Sequence, residues 1–185
     1  MTNRIVLSPM FGELVITALY GVSNMIFMDP PPCPTCRETS KKILLDHDML
    51  KRRFATVIIG GEKVRLSVSV KRYICKQCGQ VVCAHSPFYP NTRLGSPVVD
   101  LAISLASRYS FYQTSQIMEM LNISVSRSAI RTLAQSREWD IATVPLSGLV
   151  LPASLLSLGT LISTSHRHLT PEDVLVACGF SMEKT

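Results

Sequence analysis

Hydrophobic and polar positions alternate most regularly in "FATVIIGGEKVRLSVSVKRYIC", residues 54–75, where Val64, Leu66, Val68 and Val70 take one face and Lys63, Arg65, Ser67 and Ser69 the other. A period of two is that of a half-buried strand, and Gly60-Gly61 supplies the residues a two-residue hairpin turn requires. The predicted hairpin carries Cys75 and Cys78 at its end. Beyond residue 96 the period changes to that of helices. Ser96 and Pro97 read as N-cap and first helical residue before Val98, Leu101, Ala102 and Leu105. Ser110 caps a second helix with Ile117, Met120 and Leu121 inward, and "NISV" breaks the pattern. Ser126 caps a third, with Ile130, Leu133 and Ala134 inward and Arg127, Ser128 and Arg131 outward. This is the outline of a helix-turn-helix.

The flanks are less patterned. Residues 1–29 are apolar with few charges, and "YGVSNMIFMD" reads as an extended strand entering the Pro30–Pro32 run. Residues 141–165 contain no charge, yet Pro145, Gly148, Pro152 and Gly159 argue against a membrane span. In "LTPEDVLVACG", Thr170, Pro171 and Gly179 mark a short helix. The expected fold class is therefore α+β: a small zinc ribbon with a β-hairpin, then an all-α helix-turn-helix domain. The expected division is an extension at 1–29, a ribbon at 30–86, the linker "SPFYPNTRLGS", the helical domain at 96–139 and a tail of unassigned fold at 140–185.

The chain has 185 residues and six cysteines, too few for a disulfide-dense secreted scaffold, and Glu13 interrupts the only leader-like apolar run. A reducing, cytoplasmic setting is expected, where two Cys-x-x-Cys units favour a metal over a disulfide. Cys33, Cys36, Cys75 and Cys78 are the expected ligands of one structural Zn²⁺. A closed shell of four thiolates leaves no coordination position for water, so hydrolysis at the ion is not expected. Gly79 suits the left-handed backbone that often follows the second ligand, whereas Arg37 in the matching place would cost about 1 kcal/mol. Cys83 and His85 offer alternative ligands. His47 and Cys178 are lone residues, read as a surface and a core group, and "SHRH" with His166 and His168 as a solvated loop.

The net charge of +6 is concentrated: residues 33–85 carry eleven Lys and Arg against four acids. A basic segment coinciding with a metal module points to a polyanion, most often nucleic acid. Lys71, Arg72 and Lys76 are expected on phosphates of double-stranded DNA, and Arg127, Ser128 and Arg131 on the recognition helix. The bases near the cysteines also offset the net negative charge of a zinc tetrathiolate.

"CPTC", "GGEKVRLSVSVKRYICKQCGQ" and "SRYSFYQTSQIMEMLNISVSRSAIRTL" together resemble the N-terminal zinc-ribbon and helix-turn-helix region of prokaryotic insertion-sequence transposases of the DDE type, over about residues 30–137. In that family a ribbon precedes a "VSxSxI" motif, here Val125, Ser126, Ser128 and Ile130, and the resemblance implies binding of transposon-end DNA. The family's RNase-H-like domain, with three acids on two metal ions, has no counterpart pattern. Only Asp140, Glu172, Asp173 and Glu183 follow the third helix. The expectation is a truncated or split transposase front end without strand transfer of its own. Rival readings are a regulator that dimerises on a palindromic site, a ribbon that scaffolds protein assemblies, and a chain completed by a separate catalytic subunit.

Overall fold

A computed structural model of the protein describes residues 9–37, 43–136, 140–146, 148–164 and 169–180. The chain runs through α1 (Pro9–Tyr20), β1 (Ile26–Phe27), β2 (Leu44–Ile59), β3 (Glu62–Cys75), β4 (Val81–Cys83), α2 (Ser96–Ala106), α3 (Phe111–Met120), α4 (Arg127–Ser136), β5 (Thr143–Leu146), β6 (Leu149–Pro152), α5 (Ala153–Thr164) and α6 (Pro171–Ala177). It is an α+β fold.

The hairpin of β2 and β3 is its spine. Ile59 pairs with Glu62 across Gly60 and Gly61, whose φ angles of 59° and 85° are those of a type I′ turn, open to glycine without strain. Leu66, Val68 and Val70 are buried, as the alternation predicts. β1 runs parallel to β3 and β4 antiparallel to it, both on the side away from β2.

The other edge of β2 is covered by the helical half. Phe54 O accepts from Gly95 N at 2.8 Å, Thr56 O from Ser124 N at 2.8 Å, and Ile58 N donates to Asn122 O at 2.8 Å. The free edge of a sheet is thereby closed, and the α3–α4 turn is fixed to the hairpin. Residues 86–95, expected as a linker, are packed: Phe88 and Leu94 are buried, and the Phe88 ring stands edge-on to Phe54 at 6.1 Å.

Three sequence expectations change. Among its described residues the N-terminal extension is mainly helical, because α1 buries Val15, Ala18 and Leu19 and packs on α5; the extended segment shrinks to Ile26–Phe27. The N-cap of α2 is Gly95, not Ser96, which is wholly buried. At α3, Ile117 and Leu121 are buried as expected, but Met118 joins them in place of Met120, which is 46% exposed. Ser110 does cap α3, by a reciprocal capping box with Gln113, and Thr170 caps α6 in the same way through Asp173.

The tail is folded. β5 and β6 form a second hairpin, and Leu149, Leu151, Leu155, Leu158, Val174 and Leu175 join the cluster that contains Phe54 and Leu101. A polar contact ties it to α2: buried Asp100 accepts from Tyr89 Oη at 2.8 Å and from Ser154 Oγ. Burial pushes the Asp100 carboxyl up, only partly countered by those two donors. Burial likewise pushes the neighbouring Cys178 thiol up to about 12, in keeping with its expected core role. No described helix is long and apolar enough to cross a membrane.

Candidate metal centre

The parallel pairing of β1 with β3, Ile26 opposite Ser69 and Phe27 opposite Val70, sends the following segment towards the end of β3. Tyr73 Oη donates to Met28 O and holds that segment down, so that Cys33 arrives beside Cys78. At the hairpin base Leu44 pairs with Cys75, and Lys76 N donates to Ile43 O at 2.9 Å.

Each Cys-x-x-Cys unit forms the same tight turn. Arg37 N donates to Cys33 O and Gly79 N to Cys75 O, both at 2.8 Å. Arg37 has φ 56° and Gly79 φ 71°, so the residue after each second cysteine is left-handed, as expected. The N–H groups of Cys36 and Thr35 point at Cys33 Sγ, and those of Cys78 and Gln77 at Cys75 Sγ. These donors favour thiolates, holding Cys33 down at about 6 and lowering Cys75. At Cys78 the Gln80 N–H acts in the same sense but is outweighed by burial and by the Cys33 and Cys75 thiols, and its pKa is raised.

The four sulfurs lie within 4.8 Å of one another. Cys33 Sγ is 3.5 Å from Cys78 Sγ, and Cys36 Sγ is 3.4 Å from Cys75 Sγ and 3.9 Å from Cys78 Sγ. A disulfide needs about 2.05 Å. Four sulfurs each about 2.3 Å from a central ion stand about 3.8 Å apart at the corners of a tetrahedron, close to what is seen. The cluster can hold a metal ion. Cys83, exposed opposite Arg72 on β4, and His85, whose N–H donates to Asp29 O at 2.8 Å, lie outside it. His47 is exposed on β2, and His166 and His168 fall outside the described residues.

Because a side chain in the left-handed region costs about 1 kcal/mol, Arg37→Gly is expected to raise stability by that amount with metal bound. Urea unfolding followed by circular dichroism measures it; a lower midpoint would show that the Arg37 side chain stabilises more than its backbone costs.

The basic residues singled out in the sequence fall into two groups. Lys71 Nζ is 3.8 Å from Asp46, and Arg72 grips Asp48 with two nitrogens, an ion pair that raises the Arg72 pKa and lowers that of Asp48. Both are paired within the hairpin, which weakens the expectation that they hold phosphates. Lys76, Arg127 and Arg131 are exposed, with no carboxylate partner among the described residues.

Arg127 and Ser128 open α4, and Arg131 is one turn on. Ser126 Oγ accepts from Ala129 N at 3.2 Å to cap this helix and lies 3.1 Å from Ser128 Oγ. Ile130 is buried and Leu133 and Ala134 half-buried against α2 and α3, so the polar face of α4 is turned outward. The turn before it is held by Ser115 Oγ donating to Val125 O at 3.2 Å and by Asn122 at φ 61°. Arginines of the hairpin and of the loop at 93 form a further basic surface. No protein-family model matches the chain, no curated protein is similar to it, and no solved structure matches it.

Proposed function

We propose that the protein binds double-stranded DNA through α4, with a zinc ion on the four thiolates holding the hairpin that supports that helix. The observation that carries this reading is α4 itself. Its sequence RSAIRTLAQS has two arginines and no acid, its apolar side is docked, and its N-terminal turn, where a recognition helix meets base edges, presents Arg127, Ser128 and Arg131 to solvent. Four cysteine sulfurs at tetrahedral spacing, in N–H-lined turns, suit zinc by ligand type. In this reading the chain is related to the DNA-binding front end of insertion-sequence transposases, and Lys76 adds a phosphate contact.

Arg127→Ala is expected to leave folding and metal content unchanged and to cost about 1 to 3 kcal/mol of discrimination between preferred and random duplexes. Selection from a randomised DNA pool, followed by titration of the selected duplex, measures it. Equal binding of all sequences by both proteins would overturn base reading by α4.

A further inference from the structure

Arg52 and Arg53 on β2, Arg65 on β3, and Arg93 with Thr92 in the loop before α2 line a single open cleft of about 340 Å³. Among the described residues none of the four arginines has a carboxylate partner. Arg52 is half-buried; its Nη2 donates to Thr92 O at 2.8 Å, and its guanidinium lies 3.8 Å above the Phe88 ring. These contacts orient the guanidinium without neutralising it, and burial pushes its pKa down. Arg53 and Arg65 share the outer face of the hairpin, since Arg53 pairs with Ser67 and Arg65 with Thr56. Four like charges converging on one cleft repel one another unless an anion lies between them, and planar guanidinium groups match phosphate oxygens with paired hydrogen bonds.

From this arrangement we infer that the cleft is a second nucleic-acid contact, a clamp for phosphodiester groups of the duplex whose bases α4 reads. The inference rests on the DNA reading above. Thr56, opposite Arg65, accepts a hydrogen bond from Ser124, three residues before Arg127. The backbones at Arg65 and Arg127 are therefore no more than about 20 Å apart. That span is within reach of one duplex whose major groove is about 12 Å wide. Because backbone hydrogen bonds at Thr56 and Ile58 join hairpin and turn, clamp and helix move as one body.

The test uses the full, zinc-loaded chain and a mixed-sequence DNA duplex, with affinity followed against salt. Each phosphate neutralised contributes about −0.9 to the slope of log affinity on log salt. The triple variant Arg53→Ala, Arg65→Ala, Arg93→Ala changes only exposed side chains and leaves Arg52 in its packing role. It is expected to flatten the slope by about 2 to 3 while keeping the sequence preference of the parent. The corresponding triple lysine variant is expected to restore most of the slope. An unchanged slope in the alanine variant overturns the clamp and leaves α4 as the binding element. A flattened slope, together with an Arg127→Ala, Arg131→Ala variant that loses no sequence preference, supports the clamp and overturns base reading. A parent protein with no salt-sensitive duplex affinity overturns both.

Discussion

Cys36→Ser is expected to strip the proposed zinc and to unfold one end of the molecule while the other stays folded. Cys33 and Cys75 are buried at 0% and 1% exposure, and Cys36 and Cys78 meet them from the two turns. With three thiolates and a hydroxyl, the shell no longer matches a structural zinc site, and bound zinc should fall from about one per chain to traces. Zinc-finger peptides owe about 10–16 kcal/mol of apparent folding energy to their metal. Here part of the fold does not depend on it. Residues 27–37 and 81–84 have few apolar anchors beyond Phe27, Val82 and Ala84, whereas α1, α2 and α5 share a core lined by Leu19, Leu101, Leu105 and Leu158. The prediction is thus regional: amides of Leu44–Asp46, Tyr73–Cys75 and Val81–Cys83 lose hydrogen-exchange protection, and those of α2 retain it. Cys83→Ser is the control, because Cys83 lies outside the sulfur cluster and should keep full metal content. Zinc retained by Cys36→Ser and lost by Cys83→Ser would sink this ligand assignment.

What the sequence disclosed follows from where each segment packs. The hairpin was legible because one face of β3 is buried and the other solvated, and only that asymmetry writes a period of two into Val64–Val70. The cysteine pairs were legible because bringing four sulfurs within 4.8 Å of one another takes two tight turns, whose spacing survives whatever lies between them. α3 and α4 announced themselves through caps, since Ser110 and Ser126 satisfy helical N–H groups locally.

Segments whose partners are distant in sequence were opaque. α1 and α5 are apolar on most sides because each covers the other across more than a hundred residues, and just after α1 a β-carbon at Gly21 would stand 2.5 Å from the Ile162 side chain of α5. Such helices carry no polar stripe to fix a period. The arginine cleft was partly visible: Arg65 stands on the polar face that the alternation marks, but Arg53 reaches that face only through the strand register, and Arg93 only because the loop before α2 folds back along β2.

That fold-back rests on Phe54, and Phe54→Ala is expected to cost about 3 to 5 kcal/mol, a large share of the stability of a typical domain. Phe54 is fully buried, stands edge-on to Phe88, and receives the Gly95 N–H on its carbonyl. A β-carbon added at Gly95 would lie 2.3 Å from the Phe54 ring, so the two positions form one tight contact. Gly95→Ala is therefore expected to cost about 1 to 3 kcal/mol by overpacking, and Phe54→Leu in that background to recover part of the loss by making room. Urea unfolding of the zinc-loaded chain, followed at hairpin and helix amides separately, measures these effects. Because the Phe54–Gly95 contact joins the hairpin edge to the start of α2, Phe54→Ala should split one transition into two, with the helices melting apart from the hairpin. A single transition at an unchanged midpoint would show that the bonds at Thr56 and Ile58 suffice, and that α4 keeps its seat on the hairpin without the ring.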